Sequence, residues 1–137
     1  MKKSFVLAAL LPLAVAAQNI KQELHAELKA QVEFPATVPA GNYSGITWLG
    51  GNEYAVVCDK ARADGFFIFH INIDPDTGVI SHAYNNEFRS SGYANRDMEG
   101  IAFMPKDTTI FISGEGDNSI KEYELKTGKY TGRELNV

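Results

Sequence analysis

Apolar and polar positions alternate along most of the chain in short runs, and these runs form two similar sets. The first set starts at Gly45 and the second at Gly100, 55 positions later. After each start come three β-rich runs, which cover residues 53–59, 65–74 and 79–84 in the first set and 108–115, 118–126 and 129–135 in the second. Turns rich in Gly, Asp, Asn and Pro separate the runs and supply the backbone angles of tight reversals. The pattern predicts four short strands, a restart, and four strands again.

Short strands joined by tight turns indicate antiparallel pairing, because parallel pairs need long crossover connections. A four-stranded unit that recurs at about 40–55 residues is typical of a β-propeller blade. The sequence therefore predicts an all-β domain at residues 42–137, a partial β-propeller with antiparallel blades at 44–88 and 97–136. An eight-stranded sandwich is the alternative architecture. Since propellers typically have about 4–8 blades, we expect the chain to be the N-terminal part of a longer protein.

Residues 18–41 precede the first blade and are predicted to form a leading strand and a linker. Apolar residues occupy every second position from Leu24 to Phe34, and this period favours a strand from about 26 to 34. The residue types at 20–31 favour a helix instead, since Gln, Glu, Leu, Lys and Ala are strong helix formers. We expect the strand, with a frayed start.

The first 17 residues have the features of a secretory signal: two lysines, a short apolar run and small residues at the end. The run is too short to span a membrane, which takes roughly 20 apolar residues. Export to the periplasm or the extracellular space is therefore expected. Removing the segment leaves 11 Lys and Arg (13 − 2) against 17 Asp and Glu, a net charge near −6. So acidic a chain is not expected to bind nucleic acid, which needs a basic face.

Neither a zinc site nor an internal disulfide is expected. The chain has a single cysteine, Cys58, and its histidines are scattered at positions 25, 70 and 82. Cys58 lies in an apolar run, where a buried thiol acts as a small hydrophobic group. The aromatic side chains are predicted to pack between the blades; they are Trp48, Tyr54, Phe66, Phe67, Phe69 and Phe103.

Charged residues cluster at the strand ends that should face one side of the ring. In a propeller, the loop that enters the first strand of a blade and the loop between its second and third strands open at the same end. The predicted residues at this end are Asp59, Arg96, Asp97, Glu99, Glu115 and Asp117. Carboxylates that converge there would repel one another without a cation between them, and hard oxygen ligands suit Ca²⁺ or Mg²⁺.

Glu99 is the strongest candidate, because it stands beside Gly100 at the start of an inner strand. Glu115 is next, since the glycines on both sides of it permit close approach of a ligand. Plainer interpretations remain open at this stage: Asp59 and Asp117 as turn caps, Glu99 as a solvent contact, and Arg96 as a surface ion-pair partner rather than an anion clamp.

The sequence resembles the phytase-like family that is described as having esterase-like activity. The resemblance covers about residues 42 to 130 and is carried by these segments: Ser44-Gly45-Ile46, Asp59, Asp97-Met98-Glu99-Gly100-Ile101-Ala102 and Ser113-Gly114-Glu115. It implies an exported propeller that hydrolyses phosphate or other esters, with a metal at the channel mouth. It supplies no catalytic set that can be carried over to this chain.

Two functions follow from these patterns. The first is a metal-assisted hydrolase of a small-molecule ester or phosphoester. Glu99, Glu115, Asp59 and Asp117 would bind Ca²⁺ or Mg²⁺, Asp97 would be a ligand or a nearby base, and Arg96 would clamp the phosphate. The alternative is a non-catalytic propeller that binds a ligand or a protein partner at the same mouth.

Overall fold

A computed structural model describes residues 26–137, which fold into two four-stranded antiparallel sheets without helices. Each sheet is a meander in which consecutive strands are neighbours. Blade one contains β1 (Tyr43–Gly50), β2 (Glu53–Cys58), β3 (Gly65–Ile73) and β4 (Ile80–Ser90). Blade two contains β5 (Met98–Met104), β6 (Thr109–Gly114), β7 (Ser119–Glu124) and β8 (Tyr130–Asn136). The all-β prediction of a partial propeller with two blades is confirmed. The predicted signal at 1–17 lies outside the described residues.

The hydrophobic core lies between the two blades. Blade one contributes Ala55, Val57, Phe66 and Ile68, and blade two contributes Met98, Ile110, Ile112 and Tyr123. These side chains alternate with outward-facing ones along each strand, as period two requires. The sheets approach most closely at β1 and β5, so the first strand of each blade is innermost.

One strand boundary and the packing of three aromatic residues differ from the sequence prediction. The fourth run of blade one was predicted at 79–84, whereas β4 continues to Ser90, with irregular pairing opposite Ile68 and Phe69. Trp48 was predicted to pack between blades but is 60% exposed on the outer face of β1. Phe67 and Phe69 also lie on that outer face, where they contact Tyr43.

Residues 26–34, where the leading strand was predicted, pair with no strand among residues 26–137. A strand needs a hydrogen-bonded neighbour, and neither blade offers its open edge to this segment as a whole. The segment instead forms hydrogen bonds with β4 through Thr37. Thr37 accepts a hydrogen bond from the Asn85 amide at 3.0 Å, and its hydroxyl donates to the Ala83 carbonyl at 2.5 Å. The segment before β1 is therefore hydrogen-bonded to the outer edge of β4 through Thr37, and the Phe34 ring also contacts His82 of β4.

Candidate functional site

Four segments meet at one end of the two blades, and we call this region the loop end: residues 41–44, 59–64, 91–99 and 113–119. Asn95 joins the second and third of these, since its amide nitrogen donates to the Asp59 carbonyl at 2.9 Å and the Ala61 carbonyl at 2.5 Å. The Asp59 amide donates to the Asn42 carbonyl at 2.9 Å, which joins the first segment to the second. The Glu115 amide donates to the Asp97 carbonyl at 3.0 Å. Contacts within the protein thus hold together all the segments that carry the predicted charged residues.

Glu99 stands at an irregularity in the pairing of β5. Met98 pairs with Gly114 and Gly100 pairs with Ser113, so Glu99 has no partner of its own. An unpaired bulge residue re-aims its side chain relative to the regular pleat, and Glu99 is exposed. Blade one has the same irregularity at Ser44. The Ser44 hydroxyl donates to the Met98 carbonyl at 2.6 Å, which joins the two bulges across the blade interface.

Glu99 and Glu115 line the same cavity, which has a volume of about 370 Å³. Ser113 and Asn118 add polar groups to its wall, and the Ser113 hydroxyl accepts a hydrogen bond from the Gly100 amide at 2.9 Å. That bond fixes the wall next to the bulge. Two carboxylates therefore face one solvent-filled space at the loop end.

Asp59 and Asp97 both pair with one cation, the ammonium group of Lys60. The Lys60 nitrogen lies 2.9 Å from a carboxylate oxygen of Asp59 and 3.2 Å from one of Asp97. These hydrogen bonds, first that to Asp59 and then that to Asp97, raise the pKa of Lys60. Asp97 has a positive φ of 52°, a conformation that Asp tolerates better than most residues. Its amide is held by the Asn95 side chain at 2.5 Å.

Arg96 is buried between the blades and is only 8% exposed. Its guanidinium donates to Asp64 at 3.3 Å and to Asp117 at 2.7 Å. It also donates to the Tyr123 hydroxyl at 3.0 Å and to the Ser119 hydroxyl at 3.1 Å. Every nitrogen of the guanidinium has a protein acceptor, so the anion clamp that was predicted at Arg96 has no donor directed at a ligand.

The groups around Arg96 form one polar network that crosses the blade interface. The Tyr123 hydroxyl donates to a carboxylate oxygen of Asp64 at 2.7 Å, and Ser91 donates to the same oxygen at 2.9 Å. Burial and the hydrogen bond to Asp64 raise the pKa of Tyr123 above its usual range. No buried side-chain polar atom lacks a partner within residues 26–137. The network therefore satisfies its buried charges, as buried polar groups require.

Asp117 belongs to this network and is also bonded to Lys121 at 2.7 Å. Partial burial works to raise the pKa of Asp117, but the hydrogen bonds from Lys121, Arg96 and Ser119 outweigh it and lower the pKa to about 2. The carboxylate is already neutralised by two cations of the protein.

The structure thus divides the predicted ligand set into three groups. Glu99 and Glu115 share a cavity, Asp59 is tied to Lys60 together with Asp97, and Asp117 is tied to Arg96 and Lys121. In the described part of the chain, no three Asp, Glu, His or Cys side chains lie close enough to hold one metal ion.

The sequence analysis did not identify Asp64 as the partner of Tyr123 and Arg96. The alternation along β7 was a signal from which burial of Tyr123 could have been predicted, and a buried tyrosine hydroxyl needs a polar partner. Nothing in the local sequence identifies Asp64 as that partner, because it lies 59 positions away.

Comparison with known proteins gives two matches. A family model described as phytase-like, esterase-like activity of phytase, matches residues 38–137, and so includes both blades. Eukaryotic translation initiation factor 3 subunit I of Neurospora crassa is 28% identical over 81 residues. That alignment covers 59% of this chain but only 23% of the relative's length. No helix among residues 26–137 is long and apolar enough to cross a membrane.

Proposed function

Because the chain belongs to the phytase-like family described as esterase-like activity of phytase, we propose that its loop end binds and hydrolyses a small-molecule ester or phosphoester. One observation carries the proposal: Glu99 and Glu115 line a single cavity at the end where the loops of both blades converge. Export from the cell, expected from the first 17 residues, is part of the same proposal.

The chemistry assigned to the chain's own residues is general-base hydrolysis. A water in the cavity gives a proton to the carboxylate of Glu99 as its oxygen attacks the carbonyl carbon or phosphorus of the ester. The bond to the leaving oxygen then breaks, and the leaving oxygen takes up a proton from the carboxyl group or from solvent. Glu115 lines the same cavity and accepts a hydrogen bond from the second hydrogen of the attacking water.

Asp97 is proposed to support this step from behind the cavity wall. Its carboxylate is fixed by Lys60 at 3.2 Å, and its carbonyl accepts the Glu115 amide at 3.0 Å. Movement of Asp97 would therefore move Glu115. Arg96 is assigned a positioning role, since its donors hold Asp64 and Asp117 in place.

A Ca²⁺ or Mg²⁺ ion at the carboxylates stays a prediction. Ca²⁺ takes about 6–8 oxygen ligands, and the described residues bring two carboxylates, Glu99 and Glu115, to one cavity. They do not form a complete metal centre by themselves, and the steps above use no metal.

The test is turnover of para-nitrophenyl phosphate and para-nitrophenyl acetate by the full-length protein, with and without EDTA. We expect Glu99→Gln to lower kcat/KM by about 10²-fold or more, the usual size of a general-base contribution. Asp107→Asn is the matched control, because Asp107 is exposed in the β5–β6 turn at the opposite end.

Absence of turnover on both esters, with unchanged circular dichroism, would overturn the hydrolase proposal in favour of a non-catalytic binding propeller. Full activity of both Glu99→Gln and Glu115→Gln would overturn the assignment of the cavity. Loss of activity in EDTA that Ca²⁺ or Mg²⁺ restores would establish the metal.

A further inference from the structure

We propose that a second cavity, beside Gly41 in blade one, binds a small anion with a flat apolar body, such as an aryl carboxylate. The cavity has a volume of about 530 Å³, which is within the range of about 300–1,000 Å³ that small-molecule sites occupy. This inference does not depend on ester hydrolysis, because neither Glu99 nor Glu115 lines this cavity.

The cavity stands where blade two has the side chain of Arg96. The Asp59 amide donates to the Asn42 carbonyl at 2.9 Å, just as the Glu115 amide donates to the Asp97 carbonyl at 3.0 Å. Asn42 therefore corresponds to Asp97, and the preceding residue, Gly41, corresponds to Arg96. A glycine leaves empty the space that the long arginine side chain fills in the other blade.

The cavity floor confirms the correspondence. The Arg96 guanidinium lies so close to Gly114 that an added Cβ there would be 2.6 Å from it. Cys58 pairs with Tyr43 as Gly114 pairs with Met98, and Cys58 lines the cavity. Cys58 is 6% exposed, so the cavity reaches the thiol but shields it from solvent.

The side chains around the Arg96 guanidinium in blade two are more polar than those at the corresponding positions of blade one. Around Arg96 the side chains carry acceptors for a cation: Asp117, and the hydroxyls of Ser119 and Tyr123. By strand register, Phe69 occupies in blade one the position of Tyr123, because Phe69 pairs with Tyr54 and Tyr123 pairs with the corresponding Ile110. Phe69 does not itself line the cavity, but its ring lies against that of Phe67, which does. An apolar ring thus replaces the hydroxyl acceptor of Tyr123.

Aromatic rings and cationic groups form part of the lining. Phe67 and Phe88 are packed with ring centroids 4.6 Å apart, and both line the cavity. Lys60 and Arg62 come from the β2–β3 loop, which is two residues longer than the β6–β7 loop (59–64 against 115–118). Lys60 already pairs with Asp59 and Asp97, whereas no carboxylate among residues 26–137 lies within ion-pair distance of Arg62. Arg62 is thus the cation that remains for a ligand.

The chemistry of the lining selects the ligand. A flat apolar body would lie against the rings of Phe67 and Phe88, and one anionic group would pair with Arg62, whose planar guanidinium suits a carboxylate. Asn42 and Asn85 add hydrogen-bonding groups at the rim.

Calorimetric titration of the purified protein with benzoate, benzyl alcohol and benzylamine tests the proposal. We expect benzoate to bind and Arg62→Ala to weaken its binding by about tenfold, as for loss of a charged hydrogen bond. Arg62→Lys should weaken benzoate binding less than Arg62→Ala does. Lys106→Ala, which removes an exposed cation in the β5–β6 turn, should change nothing.

The single cysteine provides a second measurement. Because Cys58 lines the cavity, saturating benzoate should slow its alkylation by iodoacetamide several-fold, and benzylamine should not. Equal binding of benzoate and benzylamine, benzoate binding that Arg62→Ala leaves intact, or no benzoate binding up to millimolar concentration would each overturn the proposal.

Discussion

The two blades have the same strand order and the same bulge at the inner strand, yet they treat corresponding positions differently. Arg96 ties blade two to blade one through a buried ion pair with Asp64, and the corresponding Gly41 leaves a cavity. The backbone repeat is therefore kept by turns and strand pairing, while the chemistry at each position depends on what packs against it. The same topology gives an interface in one blade and a ligand-sized space in the other.

The largest effect is expected at the buried arginine. Arg96→Met removes a cation from Asp64, which is 1% exposed, and leaves that carboxylate without its ion pair. Breaking a buried pair typically lowers the free energy of unfolding by about 3–5 kcal/mol. Urea denaturation measures it, with Arg62→Met in blade one as the matched control, expected within about 0.5 kcal/mol of the parent. A loss below about 1 kcal/mol for Arg96→Met would mean that the network does not hold the blades together.

The next comparison concerns the third strand of each blade. Ile68 faces the core at 2% exposure, and the register places Glu122, also 2% exposed, at the corresponding position of blade two. Ile68→Ala should lower the free energy of unfolding by about 3 kcal/mol through the cavity it leaves.

Glu122→Ala should lower it by about 2 kcal/mol, because Thr109 and Thr131 lose the carboxylate to which they donate at 3.0 and 2.8 Å. A loss at Glu122 larger than that at Ile68 would reverse this order. It would show that the polar contacts of blade two matter more than the apolar core of blade one.

The pH dependence of stability sharpens the comparison further, because Asp117 of blade two is paired with two cations, Arg96 and Lys121, whereas Asp64 of blade one is paired with Arg96 alone. The pKa of Asp117 is lowered from 3.8 to about 2 in the folded protein, so the carboxylate stabilises the fold above pH 4. This contribution decreases as pH falls towards 2. With discount for its partial exposure, we expect Asp117→Asn to lower the free energy of unfolding at pH 7 by about 1–2 kcal/mol. The difference in free energy of unfolding between Asp117→Asn and the parent should become small near pH 2. A difference that stays constant from pH 7 to pH 2 would contradict this prediction.

The smallest effect is expected on the outer face of blade one. Ile46 is 56% exposed, whereas the corresponding Ile101 packs against the core cluster. Ile46→Ala should change the free energy of unfolding by less than about 0.5 kcal/mol, and Ile101→Ala should lower it by about 1 kcal/mol. Thermal denaturation of both variants measures the difference. Equal losses would show that another surface covers Ile46 in solution.

Strand order and the blade repeat were predictable, because alternation and turn residues are local properties of the sequence. The boundaries of β2 and β6 follow directly from the glycine and asparagine turns beside them. The gathering of Asp59, Asp97 and Glu115 at one end also followed from topology. Whether any of them acts in catalysis or binds Ca²⁺ or Mg²⁺ stays a prediction.

The errors arose where a pattern needs a distant partner. Alternation from 26 to 34 is compatible with a strand, but no strand among residues 26–137 pairs with it. A charged residue before a strand is usually exposed. Burial of Arg96 is favourable because its guanidinium donates hydrogen bonds to both Asp64 and Tyr123. Such coincidences are set by tertiary packing and leave no local signal.

The hydrogen bonds between Thr37 and β4 have a consequence for self-association of the protein. Edge strands have unpaired amides and carbonyls that can pair with another polypeptide chain, and such pairing can start fibril assembly. By occupying the Asn85 amide and the Ala83 carbonyl, Thr37 blocks this template midway along its length. A protein shortened to begin at Tyr43 would retain its sheets and lose its guard against self-association.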